Sequence, residues 1–343
     1  MSVDTALRPL PTSLPITGRE KRMMLAAGRT SAELGGQIAD RLGLQLTDAG
    51  NKTFADGEVY CRYRESIRGA DMFLIQSLAG NPHEGLTVND ALMELLVMVE
   101  AAVGASAHRV IAVTPWFGYS RQDKKSAPRE PITARLVARL LQTDGIDRLL
   151  TMDLHAGQVQ GFFSKPVDHM TAMPVLTQFV KDRLGGESKL VVIAPDAGRV
   201  KLARKFAQKV GAPYALLEKE RPAQQVAEIG YVIGDVRDKV AVIVDDVIAT
   251  GGTLAAAAQT VIDEGASKVY AVATHGIFAG NAFETLRRSP LAGIVVTDTV
   301  PLRPDAPDSI TVLTCADILT DSVRKIFTDD SVSEIFAGEN QLF

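Results

Sequence analysis

The sequence predicts an α/β protein of two similar domains, each a mainly parallel sheet flanked by helices. Three observations carry that expectation. Apolar, β-branched runs alternate with helical stretches along the whole 343-residue chain, the pattern of repeated strand–helix–strand units. Ten such strand-like runs suit two sheets better than one wide one. The run Val240–Val244 is apolar at successive positions, as in a strand covered on both faces, and it ends in two acids and a glycine-rich turn.

Taken in order, strands are expected at Met23–Ala27, Met72–Gln76, Val110–Thr114 and Arg148–Met152, then at Leu190–Ala194, Tyr214–Leu217, Val240–Val244, Val269–Ala273, Ile294–Val296 and Ile310–Leu313. Helices fall between them at Ala91–Val103, Ile132–Gln142, Pro174–Leu184, Arg199–Val210 and Leu254–Glu264. The division falls near Val167–Met173, giving a first domain at 21–168 and a second at 169–319. The tail, 320–343, carries a last helix (Ser322–Ile326) that packs back on the first domain. Residues 1–20 hold three prolines and no apolar core, and read as a disordered extension rather than a signal peptide. Chemistry in such sheets gathers at the carboxyl ends of strands.

Composition narrows the function classes. Hydrophobic residues at 46% and charged residues at 23% are ordinary for a soluble globular protein. A net charge of −4 argues against a general nucleic-acid binder. Two cysteines, Cys61 and Cys315, are too few for a disulfide framework or zinc cluster, and no apolar run has membrane length. A cytoplasmic protein with neither nucleic-acid nor membrane partners is expected.

The segment VAVIVDDVIATGGT, Val240–Thr253, is the most informative. Its two glycines let backbone N–H groups converge, Thr250 and Thr253 add hydroxyls, and the following helix adds positive dipole, which together suit a phosphate. Asp245 and Asp246 just before that cradle can accept from vicinal hydroxyls or hold a metal. Phosphate beside a diol means a sugar phosphate, most simply ribose 5-phosphate. The bland reading is a strand-to-helix turn capped by acids.

Other segments leave alternatives open. In Phe54–Glu58, FADGE, an aromatic and two acids could take a nucleobase and ribose, or form a plain surface turn. In Tyr119–Lys125, YSRQDKK, the cations Arg121, Lys124 and Lys125 suit a triphosphate, or a solvated basic loop. Asp153 and His155 end the strand in TMDLHAGQVQGFF and could sit around a divalent metal. Asp196 in APDAG either caps a helix or faces the cleft. Lys219 and Arg221 in EKER form a solvated charge run or a basic flap over transferring phosphate. Neither GxxxxGK[ST] nor GxGxxG occurs, so ATP use must rest on side chains.

In this order, and together with ESIRG (Glu65–Gly69), REPITARL (Arg129–Leu136), DLH…QGFF and SVS (Ser331–Ser333), these segments resemble the ribose-phosphate pyrophosphokinase (phosphoribosyl pyrophosphate synthetase) family. The similarity runs from about Arg22 to Phe336. It implies two phosphoribosyltransferase-like domains and transfer of the β,γ-pyrophosphoryl group of ATP to O1 of ribose 5-phosphate with Mg²⁺. By resemblance, Phe54, Asp56 and Glu58 hold adenine, the last two from a neighbouring subunit, and Arg121, Gln122 and Lys124 contact ATP. His155 and Asp196 match the Mg²⁺ positions, and Lys219 with Arg221 the catalytic pair. Asp245 and Asp246 take the ribose hydroxyls; Ala249, Thr250, Gly251, Gly252 and Thr253 take the 5-phosphate. Ser66, Arg68, Ser106, Ser331 and Ser333 match the type regulated by phosphate and ADP, and the family assembles as homohexamers.

Two departures stand out. The family usually reads DDxxDTGGT, but Ala249 replaces the third Asp. A cradle built on backbone N–H survives that change, while any polar contact from that Asp is lost, which weakens affinity or metal placement and favours the regulatory-subunit alternative. Val103 and Gly104 stand where the family often has basic residues near its regulatory site. The competing expectations are a phosphoribosyltransferase, which would be about half this length, and a catalytically weak regulatory subunit, against which His155, Lys219 and Arg221 count.

Overall fold

Strand residues in this chain alternate between two apolar faces, so each sheet is covered on both sides. The computed structural model describes residues 21–186, 189–220 and 229–336; the expected extension at 1–20, Arg221 and tail residues 337–343 lie outside them. The first half contributes β1 (Met23–Ala27), a short pair β2 (Lys52–Thr53) and β3 (Val59–Tyr60), then β4 (Asp71–Ile75), β5 (Arg109–Thr114), β6 (Arg148–Met152) and β7 (Val167–Met170). The second half contributes β8 (Leu190–Ala194), β9 (Tyr214–Glu220), β10 (Ile229–Ile233), β11 (Val240–Ile248), β12 (Lys268–Gly276), β13 (Leu291–Thr297) and β14 (Ile310–Leu313). Helices are α1 (Ala32–Leu42), α2 (Val88–Gly104), α3 (Thr133–Asp144), α4 (Met173–Leu184), α5 (Val200–Val210), α6 (Gly252–Asp263), α7 (Ala282–Arg287) and α8 (Ala316–Thr328).

The first sheet runs β1-β4-β5-β6-β7, parallel throughout. The second runs β10-β9-β8-β11-β12-β13-β14, parallel except for the antiparallel edge strand β10. Two mainly parallel, helix-flanked sheets are the α/β architecture expected. In the second sheet β9 lies on one side of β8 and β11 on the other, so the strand order reverses between β8 and β11. Ligands in such sheets bind in the crevice beyond that reversal.

Phe73 and Ile75 face one core while Met72 and Leu74 face the other, and all four are fully buried. Burial of each such side chain contributes about 1.5–3 kcal/mol. The first of these cores is shared: Leu150 and Met152 of the first half pack in one cluster with Val192, Val242 and Val272 of the second. Helix α8 returns to α1, where Arg41 Nε lies 2.5 Å from Asp317 and Thr314 donates to Gln37 at 2.8 Å. Arg109 then joins Asp71 at 2.5 Å and Asp329 at 3.0 Å beyond the end of α8.

Elements absent from the expectations have local reasons. Two adjacent glycines hide α1, each costing about 1 kcal/mol in a helix. A Cβ on Gly35 would lie 2.6 Å from Ala27 Cβ, so that glycine lets α1 reach β1, while Leu34 and Ile38 supply the buried face. Strand β7, VDHM, lacks an apolar run but completes the first sheet against β6.

Candidate active site

The acid pair sits at the reversal point. β11 continues past Val244, so Asp245 and Asp246 lie within the strand and not beyond it, held by β12 through Asp245↔Ala273 and Val247↔His275. Asp246 is 5% exposed at its side chain, Asp245 28%. The turn that follows passes through Gly251, whose φ of 76° is left-handed, and α6 starts at Gly252. Thr250, Gly252 and Thr253 are exposed, and the first-turn N–H groups of a helix have no intrahelical acceptors. This leaves an anion cradle open to solvent beside two carboxylates.

His155 reaches the pair from the other sheet. Its Nδ1 lies 2.8 Å from Asp246 Oδ2, joining the loop after β6 to β11. Arg199, singled out by no sequence reading, completes the cluster: Nε is 2.9 Å from Asp245 Oδ1 and Nη2 is 2.6 Å from Asp246 Oδ1. That second contact lies off the hydrogen-bond axis, so buried Asp246 Oδ1 makes no aligned hydrogen bond. Burial and the neighbouring Asp246 carboxylate push Asp245 well above the usual carboxylate range. Burial would also raise Asp246, but the His155 hydrogen bond and the Arg199 charge hold it well below that range.

Asp196 is exposed and caps the turn after β8, accepting from Arg199 N at 3.2 Å. Asp153, two positions before His155, is fully buried, and burial pushes its carboxyl up to about 6. It accepts from Ala172 N at 2.8 Å and from Thr274 Oγ1 of β12 at 2.7 Å, and so ties the two halves together beside the site. Among the described residues no group of three or more His, Cys, Asp or Glu is arranged to hold a metal ion. The unbonded Asp246 oxygen and the His155 imidazole fit Mg²⁺, which needs few protein ligands when phosphate oxygens supply others.

Arg121 and Gln122 line a cavity of about 770 Å³ between loops of the two halves, with Trp116, Phe278, Val300 and Arg303. Volumes of that order hold nucleotide-sized ligands. Gln122 accepts from Thr133 Oγ1 at 2.6 Å at the start of α3, and buried Asp123 accepts from Gln158. Lys124 is exposed on the same loop. Behind one cavity wall Trp116 packs 4.7 Å from His275, whose Nε2 is 3.3 Å from the Asp153 carbonyl. The loops at 277–280 and 300–305 carry no recognisable motif and could not be found from sequence.

Phe54, Asp56 and Glu58 stand apart on the β2–β3 hairpin. Phe54 is 43% exposed and packs edge-on to Tyr60 at 5.7 Å, with Lys52 Nζ 4.8 Å from its ring centre. Asp56 accepts from Glu58 N at 3.2 Å within the tip. Lys219 lies in the backbone of β9, so EKER does not follow that strand but ends it. Ser66 and Arg68 are exposed, and Arg22 donates to both carbonyls. Ser106, at φ 62°, accepts from Gly69 N at 2.8 Å, and Ser331 and Ser333 share a hydroxyl contact of 2.7 Å.

With this geometry the known proteins can be compared. Residues 23–145 match the N-terminal domain of ribose phosphate pyrophosphokinase, and 207–337 match the phosphoribosyl synthetase-associated domain. The chain is 44% identical over 315 residues to the ribose-phosphate pyrophosphokinase of Caldanaerobacter subterraneus subsp. tengcongensis, covering 92% of this chain and 98% of that one. The chain belongs to the ribose-phosphate pyrophosphokinase family. The Streptomyces avermitilis member of the family is 44% identical over 329 residues, covering 95% and 99% of the two chains. The crystal structure of phosphoribosylpyrophosphate synthetase from Mycobacterium smegmatis superposes with a TM-score of 0.84 at 40% identity, over 90% of this chain and all of that one. The fold expected of a ribose-phosphate pyrophosphokinase is therefore the fold observed. No helix among the described residues is long and apolar enough to cross a membrane.

Proposed function

We propose that this chain transfers the β,γ-pyrophosphoryl group of ATP to O1 of ribose 5-phosphate, forming 5-phosphoribosyl 1-pyrophosphate and AMP. One observation carries the reading: His155, from the half that bears the Arg121–Lys124 loop, touches Asp246 beside the Thr250–Thr253 cradle. Nucleotide-facing and sugar-facing groups thus meet at one point.

In this reading 21–168, with the tail at 320–343, binds nucleotide and 169–319 binds ribose 5-phosphate. The 5-phosphate accepts from N–H groups of Ala249, Thr250, Gly251, Gly252 and Thr253, and the ribose hydroxyls donate to Asp245 and Asp246. Ala249 keeps its backbone N–H for the cradle, though it lacks the polar contact a third Asp would make. Arg121, Gln122 and Lys124 hold the triphosphate, while Phe54, Asp56 and Glu58 hold adenine, the last two reaching from a second copy, for which the exposed hairpin is suited. Orientation then does most of the work. The O1–Pβ bond forms as the bridge to Pα breaks on its Pβ side; AMP leaves with the bridging oxygen and the O1 proton passes to solvent. Lys219 and Arg221 neutralise charge on the migrating group. His155 and Asp196 would hold Mg²⁺, which when bound would supply charge neutralisation at the phosphate oxygens. A cytoplasmic homohexamer is proposed, with inorganic phosphate and ADP acting at Ser66, Arg68, Ser106, Ser331 and Ser333.

The test is AMP release from ATP, ribose 5-phosphate and Mg²⁺ by the purified protein, with and without inorganic phosphate. Stoichiometric AMP and phosphoribosyl pyrophosphate are expected. AMP appearing only once a nucleobase is added would defeat the proposal.

A further inference from the structure

One guanidinium engages three of the groups assigned above to sugar and metal. Arg199 is 2.9 Å from Asp245 Oδ1, 2.6 Å from Asp246 Oδ1 and 2.8 Å from His155 Nδ1, with its side chain only 16% exposed. His155 Nδ1 is also 2.8 Å from Asp246 Oδ2. A ring nitrogen either donates or accepts, so Nδ1 cannot donate to Asp246 and accept from Arg199 at once. The two contacts describe alternative partners for one atom.

We infer that Arg199 is an internal counter-cation, a positioning residue that occupies the acid pair and His155 until a divalent cation arrives with phosphorylated substrate and displaces it. This rests on the proposed placement of ribose at that pair and of Mg²⁺ at His155. A guanidinium stays charged at any working pH, so proton loss cannot vacate the site; the side chain has to move. Its backbone is pinned, because Asp196 accepts from Arg199 N at 3.2 Å, but that bond leaves the side-chain torsions free. Phosphate oxygens offer the departing fork a bidentate partner as strong as the carboxylates it leaves. Once it has left, Nδ1 donates to Asp246 and Nε2 presents a lone pair. Arg199 thereby makes cation entry depend on substrate: an ion alone competes with a resident positive charge, while an ion arriving with phosphate does not.

The experiment is Mn²⁺ titration of the full chain without nucleotide or sugar, following the paramagnetic resonance signal of free ion. R199A and R199Q are compared with R199K, D246N and the unaltered chain, and thermal melts establish that each is folded. R199Q, close in shape, stands in if the alanine variant does not fold, and R199K keeps the charge. We expect R199A and R199Q to bind Mn²⁺ at least about tenfold more tightly, R199K to stay within about threefold of the unaltered chain, and D246N to bind more weakly. Equal or weaker binding in both neutral variants, with D246N still weakened, overturns the counter-cation role and leaves the site reading intact. Binding indifferent to Asp246 as well as Arg199 overturns both.

Discussion

Two adjacent glycines in the proposed phosphate cradle should respond oppositely to the same added methyl group. Gly251 has a φ of 76°, and a Cβ there would lie 2.9 Å from Leu286 Cγ and 3.0 Å from Cδ2. Leu286 is 4% exposed within the core beneath α6, so it cannot swing aside. A left-handed alanine costs about 1–2 kcal/mol, and overpacking about 1–3 kcal/mol more. Gly251→Ala should therefore lose about 2–5 kcal/mol, a fall in Tm of roughly 4–20 °C for a domain of this size. Gly252 starts α6, and nothing lies within 4 Å of its Cβ position. Gly252→Ala should hold or gain stability by about 0.5–1 kcal/mol from helix propensity. That methyl would nevertheless project at the open cradle, so KM for ribose 5-phosphate should rise about tenfold or more with KM for ATP unchanged. Thermal melts and initial-rate kinetics on both variants decide the matter. An unaltered sugar KM in Gly252→Ala would place the 5-phosphate elsewhere, and an unaltered Tm in Gly251→Ala would refute the packing argument.

Other expectations follow from the same geometry. Lys219→Ala should cut turnover by roughly 10³-fold in single-turnover assays while ATP affinity by equilibrium dialysis barely changes, as for a group acting on transition-state charge; unchanged turnover contradicts the assignment. Phe54→Ala should alter Tm negligibly, given its exposure, but raise KM for ATP, and mixing Asp56→Ala with Lys219→Ala should restore part of the activity if Asp56 reaches adenine from a second copy. Two buried histidines should contribute stability that rises with pH between about 4 and 6.5. Burial depresses His169 and His275 from 6.5 to about 4, so the unfolded chain binds more protons in that window. Burial raises Asp153 from 3.8 to about 6, and there the folded chain binds more, a contribution of opposite sign. Asp153→Asn should therefore steepen the rise by about 2–3 kcal/mol between pH 4 and 6, read from melts across that range. An unchanged slope would mean Asp153 does not titrate there.

Much of the fold was legible because doubly covered strands must be apolar at every position. Val240–Val244 and Leu190–Ala194 declare themselves in that way, and so do the acids and glycines that interrupt them. Strand ends were less legible. Asp245 and Asp246 look like the end of an apolar run, yet pairing with β12 extends β11 to Ile248, since backbone hydrogen bonding does not stop where apolarity does. The β2–β3 hairpin and β7 carry too few apolar residues to stand out. Arg199 was missed for a topological reason. In sequence it is a cation at the start of a helix; it becomes a partner of Asp245 only because β11 lies beside β8 although β9 and β10 intervene. Arg303 was missed likewise: it donates to the Phe278 and Gly280 carbonyls at 3.0 and 2.9 Å, fixing one cavity wall from a segment with no motif.

The way the halves are joined bears on how substrates are aligned. His155 comes from one sheet and the acid pair from the other, so their 2.8 Å contact depends on the halves keeping one relation. Several buried links enforce it. Asp153 accepts from Thr274, His275 is within 3.2 Å of the Met152 carbonyl, Ser77 donates to the Thr299 carbonyl, and one apolar cluster spans both sheets. Breaking any of these polar links would leave buried groups unpaired at about 1–3 kcal/mol each. Hinging between the halves would break them together, at a cost comparable with a whole domain's stability. The relative position of the groups proposed for the two substrates is therefore set by the joined frame. On the proposed reading, what remains to be supplied on binding is charge neutralisation and exclusion of water, the tasks proposed for Arg199, Lys219 and the β2–β3 hairpin of a second copy.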